Sequence, residues 1–182
     1  MKAVIYFDRM ASPLGDMVLA SDGDALSGAW FDGQRHQPAI GPAWQRRQDL
    51  SILRRAAAEF AEYFAGERTE FDLPLAPIGT PFQRDVWHAI ADVPFGRTIA
   101  YRELAARAGR PGSIRAAGAA TGRNPLSIVI PCHRIVGADG ALTGYAGGLP
   151  RKRSLLELER SVLAAATVPR TARATAFAHA ID

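Results

Sequence analysis

Short apolar runs broken by turn-forming residues open the chain. Ala3–Asp8, Asp16–Ser21 and Leu26–Phe31 carry β-branched and aromatic residues, and Ser12-Pro13-Leu14-Gly15 and Asp22-Gly23-Asp24 separate them. This pattern predicts three strands in an antiparallel meander. The spacing then changes. Leu50, Leu53, Ala57, Phe60, Ala61 and Phe64 fall on one helical face, which predicts an amphipathic helix over Leu50–Ala65. Residues 1–78 therefore form a small N-terminal α+β unit without recognisable chemistry, and His36, between Arg35 and Gln37, is a solvated loop residue in this reading.

From Gly79 onward the pattern is mostly helical. Thr80-Pro81-Phe82-Gln83 combines a Thr cap, a Pro at the first helical position and a Gln three residues after the cap, a capping-box start for a helix reaching about Asp92. Phe82, Val86 and Ile90 stripe one face of it and, with Trp87, belong to a core. Pro94-Phe95-Gly96 closes the segment. A second helix over Tyr101–Ala108 stops at Gly109-Arg110-Pro111-Gly112, and Ser113 stands as the cap of a third helix reaching Thr121. Two short helices across such a turn predict a helix-turn-helix. The third helix holds one long polar side chain, Arg115, among Ala116, Ala117, Gly118, Ala119 and Ala120. Major-groove readout relies on several long polar side chains, whereas a helix of Ala and Gly comes closer to fitting a minor groove about 6 Å wide. The same small residues would equally serve tight helix packing.

Charge sharpens this division. Residues 1–78 hold eight bases and eleven acids, and residues 79–182 hold fourteen bases and seven acids. Between Arg97 and Arg153 there are ten bases and two acids, a density that suits a polyanion or a solvated basic face. At 182 residues and 48% hydrophobic content, the chain is long enough to bury a core in one domain or two small ones. The single cysteine, Cys132, excludes an intramolecular disulfide. No apolar run approaches the roughly 20 residues of a spanning helix, and no signal-peptide pattern begins the chain, so the expectation is a cytoplasmic protein with no membrane partner.

Ile128-Val129-Ile130 predicts a buried strand that delivers the chain into Pro131-Cys132-His133-Arg134, with Pro131 ending regular pairing. A lone cysteine beside an apolar run is commonly inert. Here His133 and Arg134 stand ready to favour the thiolate, by accepting its proton or by charge.

Asn124-Pro125-Leu126-Ser127-Ile128-Val129-Ile130-Pro131-Cys132-His133-Arg134, with Tyr101-Arg102-Glu103-Leu104-Ala105 and Arg115-Ala116-Ala117-Gly118 upstream, resembles the O6-alkylguanine-DNA alkyltransferases. The resemblance covers roughly Gly79 to Arg160. It implies an α+β fold: a small N-terminal antiparallel sheet with a helix, then a helical, winged-helix-like DNA-binding domain over 79–160 that carries the reactive cysteine. It also implies a repair protein that acts once, moving the alkyl group of O6-alkylguanine, and of O4-alkylthymine, from duplex DNA to Cys132. By the same resemblance His133 is the base, acting through a water, Glu159 orients it, Asn124 ties the helix-turn-helix to the cysteine segment, and Tyr101 donates to the leaving base. Arg115 replaces the flipped base in the stack, while Ser113, Ala116, Ala117 and Gly118 face the minor groove. Ile135, Tyr145, Ala146 and Gly147 line the base pocket.

The implied protein is a monomer, with cooperative binding along DNA left open, and needs no cofactor. No metal is expected, because Cys132, His36, His88, His133 and His179 show no ligand spacing. Residues 161–182, rich in Ala and Thr, form a tail that is disordered or a frayed helix. Two other readings stay open: a module that binds damaged DNA without transfer, and a turnover hydrolase using Cys132 and His133. Adjacent residues in an extended segment point to opposite sides, so the hydrolase needs a sharp turn at the cysteine.

Overall fold

The computed structural model describes residues 4–167. Strands β1 (Ile5–Met10), β2 (Met17–Ser21) and β3 (Leu26–Phe31) form the expected antiparallel meander, with Tyr6 opposite Ser21 and Met17 opposite Phe31. A fourth strand, β4 (Trp44–Arg46), pairs parallel with β1, so the sheet is mixed and runs β3-β2-β1-β4. Three residues are too few to show a period. Tertiary partners define this strand: Ile5 N donates to Ala43 O, Arg47 N donates to Phe7 O, and the Phe7 ring meets Trp44 edge-on at 5.7 Å.

Helix α1 (Ser51–Ala65) lays Leu53, Ala56 and Phe60 on the sheet. Gly66 ends it in the left-handed conformation at φ 76°, where the N–H groups of Gly66 and Glu67 reach back to the Tyr63 and Glu62 carbonyls. Helix α2 (Pro81–Ala91) starts with the expected reciprocal box: Gln83 N donates to Thr80 Oγ1 at 3.2 Å and Thr80 N donates to Gln83 Oε1 at 2.9 Å. Helices α3 (Tyr101–Arg107) and α4 (Ile114–Gly122) follow across the glycine-containing turn. Ser113 precedes α4 but makes no side-chain cap, because its backbone at φ −103°, ψ 39° departs from the extended geometry a capping hydroxyl needs.

Two-residue strands β5 (Ile99–Ala100) and β6 (Ile135–Val136) pair in parallel and tie the start of α3 to the chain leaving the cysteine. Helix α5 (Leu149–Thr167) closes the fold. Of the two forms expected for the tail, Ser161–Thr167 take the helical one and continue α5, since the run through Ala164, Ala165 and Ala166 has high helix propensity and Leu163 covers Gly96. The rest of that expected tail lies outside the described residues.

The edge strand β3 reaches directly into the second half. Ala29 N donates to Pro125 O at 2.8 Å and Ser127 N donates to Ala29 O at 2.9 Å, while Leu26 pairs with the linker through Pro74 O and Ala76 N. One hydrophobic cluster runs from Met17, Phe31 and Phe60 through Val86, Ile90 and Leu104 to Leu126, Ile128 and Leu155. The segment before the cysteine is thus held between a sheet edge and a shared core.

Candidate active site

Ile128–Ile130 is not the expected strand. Ile128 takes φ 74°, Ile130 N closes a turn on Leu126 O, and Cys132 N donates to Ile130 O at 2.7 Å around Pro131 at φ −79°, ψ 62°, the geometry of an inverse γ-turn. A β-branched residue in the left-handed region costs about 1–3 kcal/mol and persists only where its surroundings impose it. Here Ile128 is buried in the core, and the bridge to β3, Ala29 beside Leu126, lies just before the turn. Cys132–Arg134 then form a single 3-10 turn. With about three residues per turn, three successive side chains leave in three directions, and no direct hydrogen bond joins Cys132 to His133.

The buried Asn124 amide organises this turn. Its Nδ2 donates to Ile130 O at 2.7 Å and Cys132 Sγ at 3.1 Å, with a longer contact to Leu126 O, and its Oδ1 accepts from Leu126 N at 3.0 Å. Asn124 stands one residue beyond the C-cap of α4, so its side chain ties the chain leaving that helix to the sulfur.

Behind the cysteine, Glu159 of α5 is completely buried and fully engaged. His133 Nε2 meets its Oε1 at 2.8 Å, Arg134 forks onto both oxygens, Gly96 N donates to Oε2 at 2.8 Å, and the Tyr63 hydroxyl donates to Oε1 at 2.9 Å. Burial pushes this carboxyl up, but the hydrogen bonds and charges of His133 and Arg134 outweigh it and hold the group at about 2. Arg134 does not serve the thiolate as expected: its guanidinium is taken by Glu159 and Val93 O. Burial raises the Cys132 thiol, opposed mainly by the Asn124 hydrogen bond, and burial lowers His133 against the pull of Glu159. The resting pair is thiol and neutral imidazole. His133 Nδ1 is buried and has no partner among the described residues, leaving one free nitrogen to accept a proton.

The thiol forms the floor of a small cleft lined by Arg35, Tyr101, Gly118, Thr121, Tyr145 and Ala146, among others. Tyr101 opens α3 at its rim; burial raises its phenol, so the hydroxyl keeps its proton, and its contacts to Thr143 O and Gly144 O are long, both 3.4 Å. The loop beside Tyr101 that also lines the cleft has its carbonyls held by Lys152, Gly148, Arg35 and Arg151. Lys152, pushed down to about 8 by burial, donates to Thr143 O at 2.7 Å, to Gly144 O and to Ile135 O. Gly148 N takes Tyr145 O, Arg35 N takes Ala146 O at 3.1 Å, and Arg151 takes Gly147 O at 3.0 Å while also bonding Leu14 O and stacking over Phe31.

Of the residues expected to line the pocket, Tyr145 and Ala146 do, whereas Ile135 and Gly147 do not. Ile135 is committed to β6 and its carbonyl to Lys152; Gly147 lies behind the wall, where an added Cβ would run into Tyr145 and Phe31. On α4, Arg115 and Ala116 are exposed, Gly118 borders the cleft, and Ala117 is buried against the core with Ala120, whose carbonyl accepts from Trp87 Nε1. The small residues therefore serve packing on one face and leave a low exposed face on the other. Sequence reasoning missed Tyr63, Gly96, Arg35, Lys152 and Arg151. Lys152 had left one trace: in a chain with twenty Arg it is one of two lysines.

Two family models match. One described as the DNA binding domain of 6-O-methylguanine DNA methyltransferase covers residues 81–161, and one described as its ribonuclease-like domain covers residues 5–77. The methylated-DNA--protein-cysteine methyltransferase of Mycobacterium bovis is 44% identical over 158 residues, which is 87% of this chain and 94% of that protein. Its counterpart in Methanosarcina barkeri is 42% identical over 159 residues, 87% of this chain and 99% of that protein. The crystal structure of Mycobacterium tuberculosis OGT in complex with DNA aligns with a TM-score of 0.80 at 42% identity, covering 86% of this chain and 94% of that one.

Proposed function

The chain belongs to the 6-O-methylguanine DNA methyltransferase family, and from that premise we propose that it repairs DNA by direct reversal, taking the alkyl group of O6-alkylguanine, and of O4-alkylthymine, onto Cys132 once and irreversibly. The observation that carries the assignment of roles is the arrangement at the cleft floor: Cys132 Sγ held by Asn124 at 3.1 Å, and a His133 whose Nε2 is fixed on Glu159 while Nδ1 stays free. His133 Nδ1 takes the thiol proton through a water as the sulfur attacks the alkyl carbon. The carbon–O6 bond breaks, the Tyr101 hydroxyl donates to the leaving base, and the net change exchanges one thiol proton for one alkyl group. Because thiol and imidazole are both neutral at rest, the charge pair forms only as the bond is made. The product thioether has no route back to a thiol, so the protein is consumed.

The proposal extends to binding. The helix-turn-helix of α3 and α4 approaches duplex DNA from the minor groove, with Ser113 and Ala116 on the approach and Arg115 filling the stack when the base is flipped into the cleft. The protein acts as a monomer. No helix among the described residues is long and apolar enough to cross a membrane. The cytoplasm suits the reaction, since that compartment keeps a thiol reduced.

Intact mass after mixing with a duplex carrying one O6-methylguanine tests the reading. The expected result is a single methyl adduct, one per molecule, absent from Cys132→Ser. Binding without a mass change would point to a lesion-binding module, and repeated turnover of an ester or amide would point to a hydrolase.

A further inference from the structure

Tyr63 belongs to the N-terminal unit, yet its hydroxyl lies 2.9 Å from Glu159 Oε1, the oxygen that also holds His133 Nε2. The two residues are 96 positions apart. Nothing about this contact is loose. The ring is 1% exposed and fixed by Phe64 and Phe95, both edge-on, and by Phe71 at 5.6 Å. Its carbonyl is capped by Gly66 N, and Gly66 itself has room for no side chain, because an added Cβ would stand 2.9 Å from Val162 of α5. The end of α1 is thus pressed against the helix that carries Glu159. Burial raises the phenol far above its ordinary value, so at any working pH it is a donor and never a phenolate.

The other groups at the carboxylate do not make this contact redundant. Gly96 reaches only Oε2 and the Arg134 guanidinium spans both oxygens, so besides His133 the one residue bound to Oε1 alone is Tyr63. Without the hydroxyl, the charge on Oε1 is shared by the Arg134 fork and the imidazole alone, and its place opposite Nε2 is no longer fixed from the side of α1. We propose that Tyr63 is a positioning residue for the transfer reaction, holding Glu159 Oε1 where His133 Nε2 meets it. The proposal rests on the reading of Cys132 as acceptor and His133 as base. It gives the N-terminal unit a part in the proton relay as well as in the wall of the cleft.

The groups whose charges reach His133 are Glu159 and Lys152 on α5 and Arg134 beside it, with the Cys132 thiol adjoining in the same turn; Tyr63 acts through the first of these. Tyr63→Phe removes one donor from Oε1 and keeps the ring. Oε1 then presents more negative charge to the imidazolium, so the His133 titration midpoint should rise by about half a pH unit or more. The acid limb of the rate of Cys132 alkylation by free O6-benzylguanine, a probe independent of DNA binding, should move up by the same amount. Site-specific 3-fluorotyrosine at position 63, a stronger donor on nearly the same ring, should move both downward, and it carries the test if the Phe chain does not fold.

Both quantities are measured on the full chain, the first by NMR of histidine-labelled protein and the second by intact mass against time. A changed melting temperature with the midpoint and the limb unmoved in either variant would overturn the proposal and leave Tyr63 as core packing. If the wild type is not alkylated but the midpoint moves as stated, the reading of Cys132 falls while the hold of Tyr63 on the relay stands.

Discussion

Glu159 receives hydrogen bonds from Tyr63, Gly96, His133 and Arg134 at 2.8 to 3.2 Å, whereas the Tyr101 hydroxyl, at the rim of the cleft, has only two carbonyls at 3.4 Å. The carboxylate behind His133 is satisfied by the protein alone, while the far ring nitrogen, Nδ1, stays open. Tyr101, which the proposed reaction assigns to the leaving base, keeps its hydroxyl nearly unengaged, at distances where a hydrogen bond is weak. Such a difference is expected where a buried carboxylate must stay ionised behind the base and the phenol must transfer its hydrogen bond to an incoming base. It also separates two kinds of residue: those whose loss breaks the fold and the reaction together, and those whose loss touches only the reaction.

The comparison breaks most severely at Arg134. Arg134→Met leaves Glu159 buried with its main counter-charge gone, and chemical denaturation should show a loss of about 3–5 kcal/mol. Acid should act on the same cluster. The folded Glu159 is held at about 2 against an ordinary 4.5, so its stabilisation is present above the ordinary value and is lost as pH falls from there toward 2. His133 is pushed below its ordinary 6.5, so the unfolded chain binds a proton first and stability already declines as pH falls below 6.5. Unfolding followed from pH 7 to pH 3 should therefore show a steady decline, with Glu159 contributing roughly 3 kcal/mol over its full range. A flat profile would remove the buried carboxylate from the account of stability.

Asn124→Ala comes next. It strips donors from Ile130 O, Leu126 O and the sulfur, and should cost about 2–3 kcal/mol in thermal or denaturant unfolding, with slower alkylation. At the base end the effects should leave stability within about 0.5 kcal/mol. Tyr101→Phe should slow transfer by roughly ten- to a hundredfold in a mass-based time course, through loss of the donor to the leaving base. Arg115→Ala should slow repair in duplex DNA more than reaction with free O6-benzylguanine, and equal slowing would deny it a role in flipping. A large loss of stability in either of these last two variants would erase the distinction between the two ends.

Much of the fold was legible where signals are local. The meander was marked by its turns, α1 by its spacing and α2 by Thr80-Pro81-Phe82-Gln83, each a matter of residues within a few positions of one another. Strand β4 was not legible, because three residues acquire strand geometry only from β1. The motif residues Asn124, Cys132, His133 and Glu159 were named through a resemblance, and the structure brings them together around one turn. Gly96 and Tyr63 left no signal, since neither a backbone N–H nor a core tyrosine announces which distant carboxylate it will meet. Arg134 was assigned to the wrong partner because its sequence neighbour is the cysteine, while its spatial neighbour is a charge buried 25 residues away.

The sequence by itself determined where helices begin, where the chain turns, which half carries the positive charge and which sulfur is available. These depend on side chains acting over one helical turn or on simple addition of charge. Tertiary structure decided that Ile128–Ile130 bends where a strand was indicated, that Arg134 faces Glu159, and that an N-terminal tyrosine reaches the relay. The physical reason is common to all three: a buried backbone group or charge must find a partner, and in this protein those partners come from β3, α1 and α5, which only the folded core brings within reach.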